Sequence, residues 1–137
     1  MRGDHLNLPI FAGIMDAINK PTIVLGASPN PSRYSYIATI QLLRAGNDVL
    51  PVGIRRGTIN GLQIMTERPE IEGIDTVTLY INPALQKEYY DYLIHLHPRR
   101  IIFNPGTENP ELKKLAGDHG IDTLEACTLV LLSTNQY

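Results

Sequence analysis

Short β-rich runs alternate with amphipathic segments along nearly the whole chain, and this alternation constrains the fold more than any single motif does. The six candidate strands are 22–25, 48–52, 63–65, 76–81, 100–103 and 121–124. The third of these is short and the sixth is marginal. Strands that alternate with helices are typical of a parallel sheet with helices on both faces. The sequence therefore predicts an α/β domain.

The segment between the first two strands predicts a helix. Apolar residues recur at helical spacing from Tyr36 to Leu43. We expect Ser32 or Ser35 to cap the start of this helix, and Gly46 to end it, because glycine tolerates the positive φ that often follows a helix.

Asn-Pro pairs begin two further predicted helices. An asparagine cap followed by proline in the first turn favours helix entry, and such pairs stand at Asn82-Pro83 and Asn109-Pro110. The first of these helices should end before Pro98, and its apolar stripe comprises Leu85, Tyr89, Tyr92, Leu93 and Leu96. Residues 125–133 fit a last helix or a strand.

Composition excludes several classes of protein. The 137 residues suit one domain of ordinary size. A net charge of -2 argues against a dedicated nucleic-acid binder. The single cysteine, Cys127, rules out an intrachain disulfide framework and a multi-cysteine zinc site. No apolar run approaches the roughly 20 residues of a membrane helix, so we expect no membrane partner.

The first residues contain an apolar stretch that does not fit a signal peptide. Residues 6–15 follow Arg2, but Asp4 and Asp16 flank them and no small-residue cleavage site follows. We therefore predict that residues 1–20 form an arm or short helix that packs on a domain of residues 21–137. A cytoplasmic location is the corresponding expectation.

The residues after the first strand predict a phosphate site. Open parallel sheets bind ligands beyond the carboxyl ends of their strands, and here the chain runs from Gly26 through Ser28 and Arg33 to Ser35. Gly26 permits a tight turn, and the start of the next helix offers free N–H groups to an anion. Arg33 adds a guanidinium. A capped turn with solvated polar residues is the alternative.

The same region does not match the dinucleotide fingerprint. That pattern needs three glycines spaced G-x-G-x-x-G, and only Gly26 is present. An NAD site also expects an acid near the end of the second strand, where this chain has Arg55 and Arg56. A basic pair there suits a ribose that carries its own phosphate, as in NADP and coenzyme A; a solvated loop is the alternative.

Five segments, taken in order, resemble a known family. They are Gly26-Ala27-Ser28 with Arg33 and Ser35, then Pro51-Val52, Asn82-Pro83, Pro105-Gly106-Thr107-Glu108-Asn109 and Glu125-Ala126-Cys127. They resemble the small bacterial CoA-binding proteins, single-domain relatives of the CoA-binding domain in the succinyl-CoA synthetase α subunit. The resemblance implies a Rossmann-type, doubly wound, mostly parallel sheet in a single domain, with strand order 3-2-1-4-5-6. It implies coenzyme A (CoA) as the cofactor.

The resemblance also implies candidate contacts to CoA. Residues 26–28 would shape the turn against the CoA phosphates, with Arg33 and Ser35 at the helix entrance. The full candidate set is Gly26, Ala27, Ser28, Arg33, Tyr34, Ser35, Pro51, Val52, Arg55, Asn82, Pro83, Pro105, Gly106, Asn109 and Cys127. The family often has Asn-Pro-Lys where this chain has Gly53-Ile54-Arg55, so we expect Arg55 to supply the lysine's charge.

Neither a catalytic nor a metal site is predicted. His95 and His97 are two positions apart in a predicted helix and point to different faces, so they do not suggest a zinc pair. The spacing of Ser, His and Asp residues nominates no nucleophile. Cys127 is either a small buried residue or a thiol placed near the CoA sulfur.

Three hypotheses for function remain. The first is non-catalytic binding of CoA or an acyl-CoA by a stand-alone domain that serves as a carrier, a sensor or the partner of an unidentified enzyme. The second is an enzyme, either an NADP-binding reductase or a CoA-thiol transferase. The third is a structural dimerising domain that has lost its ligand. The cluster of Tyr89, Tyr90 and Tyr92 fits either core with an exposed edge or a dimer face. A homodimer is open under each hypothesis.

Overall fold

The computed structural model describes residues 19–137. The predicted N-terminal arm therefore lies outside the described residues, except for its last two positions. Five parallel strands form the central sheet, and two short strands form a separate hairpin. The strands are β1 (Thr22–Leu25), β2 (Val49–Val52), β3 (Thr58–Ile59), β4 (Leu62–Gln63), β5 (Thr76–Leu79), β6 (Arg100–Phe103) and β7 (Asp122–Glu125).

Helices connect and cover the strands. They are α1 (Tyr34–Arg44), α2 (Pro83–Gln86), α3 (Tyr90–Leu96), α4 (Pro110–Asp118) and α5 (Thr128–Ser133). A 3₁₀ turn, Lys87–Tyr89, joins α2 to α3. None of the helices in residues 19–137 is long and apolar enough to cross a bilayer. Residues 128–133 are helical, which decides between the two alternatives for the C-terminal segment.

The sheet has the order β2-β1-β5-β6-β7, with every neighbouring pair parallel. After β2 the chain returns past β1 and adds β5 on the other side, so strand order reverses between β1 and β5. Open α/β sheets bind ligands above such a reversal, because the flanking helices leave a crevice there. The α/β, Rossmann-like class is thus confirmed.

The expected order 3-2-1-4-5-6 differs from the structure at its third strand. The predicted strand 63–65 does not form; Leu62–Gln63 instead pairs with Thr58–Ile59 in an antiparallel hairpin. Asn60 and Gly61, both at positive φ, make the tight turn of that hairpin. Only Met65 reaches the sheet, where it forms a single parallel bridge with Val52. The hairpin turn diverts the backbone before a sixth strand can form.

Apolar side chains pack on both faces of the sheet. The strand β1 is buried at all four positions, as expected for a central parallel strand. Ile23 and Leu25 join the cluster that contains Leu93 of α3 and Leu112 of α4. Val24 points to the other face, where it joins the cluster that contains Leu42 of α1. This alternation leaves the loops at the carboxyl edge of the sheet as the place for a ligand.

Three predictions about the helices can be compared with the structure at this edge, two on helix caps and one on the burial of a side chain. The predicted caps Asn82 and Asn109 both accept hydrogen bonds from first-turn N–H groups. The predicted serine cap of α1 is wrong, because Arg33 is the cap residue and no side chain caps the helix. The predicted burial of Leu85 is also wrong. The 3₁₀ turn breaks the helix, and Leu85 is 46% exposed.

Candidate functional site

A cleft of about 690 Å³ crosses the carboxyl edge of the sheet at the reversal of strand order. Its walls come from the loops after four strands. It is lined by residues 26–30 and 33–35 after β1, 53–55 after β2, 80–82, 85, 88 and 89 after β5, and 105–107 after β6. A cleft of this volume is in the usual range for a small-molecule or cofactor site.

Gly26 allows the loop after β1 to lie directly against the start of the loop after β5. Its φ is +100°, in the region that favours glycine. A Cβ at this position would lie 2.8 Å from Cγ2 of Ile81 and 2.9 Å from the carbonyl carbon of Tyr80. The turn that begins the cleft therefore requires glycine.

Gly53 makes an even closer approach on the other side of the same loop. A Cβ on Gly53 would lie 2.2 Å from the carbonyl oxygen of Ala27. The carbonyl of Val52 accepts hydrogen bonds from the N–H groups of both Gly26 and Ala27, each at 2.9 Å. The end of β2 thus holds residues 26 and 27 in place.

The segment between β1 and α1 is shaped by its own hydrogen bonds. Oγ of Ser28 accepts from the N–H of Asn30 at 3.1 Å. Oδ1 of Asn30 accepts from the N–H and the hydroxyl of Ser32, at 3.0 and 2.8 Å. No side chain accepts a hydrogen bond from the first-turn N–H groups of α1, and the first turn of α1 also holds no acidic residue. The helix start at the cleft is left able to receive an anion.

Charge is distributed unevenly around the cleft. Arg33 and Arg55 are exposed, line the walls after β1 and β2, and form no ion pair with any described residue within 4.0 Å. Glu88 lines the wall after β5. The cleft therefore has a cationic side formed by two guanidinium groups and an acidic side formed by Glu88.

Ten of the fifteen candidate residues line this cleft. They are Gly26, Ala27, Ser28, Arg33, Tyr34, Ser35, Arg55, Asn82, Pro105 and Gly106. The other five do not line it: Pro51, Val52, Pro83, Asn109 and Cys127. Contact between any of these residues and CoA stays a prediction, but the structure brings two-thirds of the set to one place.

Asn109 has a structural task that occupies its side chain. Its Oδ1 accepts from the N–H groups of Glu111 and Leu112, and its Nδ2 donates to Oε1 of Gln86 and to the hydroxyl of Tyr90, both at 2.9 Å. Gln86 is fully buried, and its Nε2 donates to the carbonyls of Ile81 and Thr107. Together the two amides join the loops after β5 and β6, which form one wall of the cleft.

Cys127 lies at the start of α5, beside the ring of Tyr80 rather than in the cleft wall. Burial raises the pKa of Tyr80 to about 12, and its nearness to Cys127 adds to the shift. The Tyr80 hydroxyl is buried and has no hydrogen-bond partner among the described residues. Asn104, also buried, receives the N–H of Thr128 on its Oδ1 and thereby holds the start of α5.

Several cleft residues were not predicted from the sequence. Asn30 shows a weak signal, since asparagine between two prolines favours a turn, and Ile54 stands beside the predicted Arg55. Gly53 follows the second predicted strand but was not in the candidate set. Leu85 and Glu88 show no signal for a site, because their roles depend on where distant loops meet. No group of three His, Cys, Asp or Glu side chains within residues 19–137 is arranged to hold a metal ion.

Comparison with known proteins adds a family and a set of similar folds. A family model described as CoA binding domain matches residues 20–133. An uncharacterised protein of known crystal structure shares 48% sequence identity with this chain, with a TM-score of 0.85. The match covers 86% of this chain and 98% of that one. No curated protein matches the chain.

Two further structures extend the likeness. A hypothetical protein from Pyrococcus horikoshii OT3 is 27% identical, with a TM-score of 0.78, over 89% of this chain and 87% of that one. The dinucleotide forming acetyl-coenzyme A synthetase 1 of Ca. Korarchaeum cryptofilum, in complex with phosphate and ADP, is 18% identical with a TM-score of 0.64. That match covers 82% of this chain but 27% of the synthetase chain, and it shows a shared fold.

Proposed function

We propose that this chain, which belongs to the CoA-binding domain family, binds coenzyme A or one of its acyl thioesters without making or breaking bonds itself. The observation that carries the proposal is the uncapped start of α1 at the cleft, which is also lined by two arginines that form no ion pair within residues 19–137.

The pyrophosphate of CoA fits the start of α1. A helix N-terminus carries partial positive charge and free N–H groups, and here no side chain and no first-turn acid satisfies them. Arg33, the residue at the cap position, adds a guanidinium that can bind phosphate oxygens through two hydrogen bonds. We assign the pyrophosphate to this end of the cleft.

Arg55 suits the phosphate on the ribose of CoA. It lies on the wall after β2, next to the loop that receives the pyrophosphate. The ribose 3′-phosphate is dianionic at neutral pH, and a guanidinium binds such a group better than an acid or a neutral side chain would. NADP carries an extra phosphate as well, so the two cofactors must be separated by experiment.

Exposed apolar side chains around the cleft suit the remaining parts of the ligand. Tyr34 is 72% exposed, Ile54 is 82% exposed and Leu85 is 46% exposed, and all three line the cleft. Large apolar residues grouped at a cleft are typical of binding sites, because a ligand removes them from water. An adenine ring and a pantetheine chain both offer surface for such contacts.

Isothermal titration calorimetry with CoA, dephospho-CoA and NADP tests the proposal. We expect CoA to bind most tightly, and Arg33→Ala or Arg55→Ala to weaken CoA binding about 10- to 100-fold, since a hydrogen bond to a charged group contributes about 1.5–3 kcal/mol. Arg55→Ala should leave dephospho-CoA binding nearly unchanged. Arg56→Ala is the matched control, because Arg56 is an exposed neighbour that does not line the cleft.

Each alternative function has its own outcome in this experiment. No binding of CoA at millimolar concentration would count against the proposal. Tighter binding of NADP than of CoA would favour a reductase, and a change in NADPH fluorescence would support it. Binding of none of the three, with a dimer in native mass spectrometry, would favour the structural dimerising domain.

A further inference from the structure

We propose that Glu88 makes the cleft prefer CoA thioesters with an uncharged acyl group over those whose acyl group ends in a carboxylate. The inference rests on the proposed function, because it concerns the far end of the same ligand. It names a specificity-determining residue and a class of cargo.

The charges of the cleft set the direction of the ligand. The nucleotide end of CoA carries all of its phosphates, and both arginines that line the cleft lie on the walls after β1 and β2. The opposite wall carries Leu85, Glu88 and Tyr89. A ligand that places its phosphates against Arg33 and Arg55 therefore directs its uncharged pantetheine arm, and the thiol or thioester at its end, toward Glu88.

Glu88 lines the cleft together with Leu85 and Tyr89. It lies in the 3₁₀ turn three residues after Leu85, a spacing that places these two side chains on the same side of the segment. Arg68 contacts this turn at two points. Its Nη1 donates to the Glu88 carbonyl at 2.6 Å, and its guanidinium lies 4.3 Å from the centre of the Tyr89 ring.

The charge of Glu88 is not neutralised by a close ion pair within residues 19–137. Its carboxylate has no Lys, Arg or His nitrogen within 4.0 Å there. Arg68 contacts the carbonyl of Glu88 and the ring of Tyr89, and it is not among the residues that line the cleft. A second carboxylate lies beside the wall after β6, where Oε1 of Glu108 accepts from the N–H of Gly106 at 2.8 Å.

This end of the cleft therefore combines apolar surface with negative charge. Leu85, Tyr89 and the neighbouring Ile81 can cover an aliphatic acyl chain. A terminal carboxylate in the same place would meet the like charge of Glu88. Since Glu88 is exposed, the repulsion is moderate, and we expect a 2- to 5-fold difference in affinity, of the size seen for exposed charge pairs. Added salt should reduce it.

Butyryl-CoA and succinyl-CoA make a matched pair of probes, since both acyl groups have four carbons and differ in the terminal carboxylate. Calorimetry at low ionic strength should show succinyl-CoA binding 2- to 5-fold more weakly than butyryl-CoA. Glu88→Gln should remove this difference by improving succinyl-CoA alone. Glu72→Gln is the control, because it changes the net charge equally at an exposed position outside the cleft.

The outcomes distinguish the proposed role of Glu88 from the proposed binding of CoA. Equal or tighter binding of succinyl-CoA, or a preference that survives in Glu88→Gln, would overturn the role of Glu88 and leave CoA binding intact. Failure of CoA and both thioesters to bind would instead overturn the proposed function.

Discussion

Replacing Gly53 with alanine should damage both stability and ligand binding, because the new methyl group has no room. The added Cβ would lie 2.2 Å from the Ala27 carbonyl oxygen, whereas ordinary contacts begin at 3.4 Å. The loops must then separate by about 1.2 Å. The hydrogen bonds from Gly26 and Ala27 to Val52, now 2.9 Å each, would stretch beyond useful range.

The loss can be estimated from those two bonds. Each contributes about 1 kcal/mol, so stretching both to relieve the clash should cost about 2 kcal/mol, within the range of about 1–3 kcal/mol that overpacking costs in general. For a domain of this size, that corresponds to a fall in Tm of about 7 °C. Displacement of residues 26–28 should also weaken CoA binding by about tenfold, the equivalent of one charged hydrogen bond.

Thermal unfolding with and without CoA, followed by calorimetry, measures both effects. Gly117→Ala is the matched control, since Gly117 lies within α4, has no neighbouring atom within 4 Å of the added Cβ and gains helix propensity. Its Tm should rise slightly, with CoA affinity unchanged. A Gly53→Ala protein with the Tm and CoA affinity of the parent would refute the close approach of the two loops.

Further predictions concern the opposite end of the sheet and the buried phenol. Burial alone would raise the pKa of Asp75, but the hydrogen bond and charge of Arg99 hold it below its usual 3.8. The stabilisation from this carboxylate is fully present above the pKa of Asp75 in the unfolded chain, and it is lost as the pH falls through the lower pKa of the folded protein. Asp75→Asn should therefore lower the free energy of unfolding, measured in urea, by about 1 kcal/mol at pH 7 and by almost nothing at pH 2. An equal cost at both pH values would contradict this. The Tyr80 hydroxyl has no partner at hydrogen-bond distance within residues 19–137, although the nearby Thr78 and Thr128 hydroxyls partly oppose the rise in its pKa. Tyr80→Phe should therefore raise stability by about 1 kcal/mol; a clear loss of stability would show that the hydroxyl is hydrogen-bonded in solution.

The N-terminus of α1 has no capping side chain, although the local sequence favours one. A serine near the start of a helix predicts a cap, and Ser32 is in the right region. In the structure, the Ser32 hydroxyl donates to Asn30 and accepts from no first-turn N–H group, so the N-terminus of α1 lacks the cap that Asn82 and Asn109 give to α2 and α4. Such departures are expected where a ligand supplies the missing partner.

The sequence by itself determined the α/β class and five strands of the parallel sheet. Apolar runs such as 22–25 and 100–103 identify buried parallel strands because both of their faces are covered, and the Asn-Pro pairs mark helix starts because their effects are local. The expected strand order came from the family resemblance and not from the alternation, and the edge at which a ligand would bind stays a prediction.

Only the tertiary structure decided which side chains meet. The third strand was lost because the turn at Asn60 and Gly61 diverts it into a hairpin, and Leu85 and Glu88 line the cleft because the segment after β5 packs beside the loops after β1 and β2. The contact between Gly53 and Ala27 joins residues 26 positions apart. Local preferences act over a few residues, whereas these contacts depend on the packing of whole strands and loops, which no short stretch of sequence specifies.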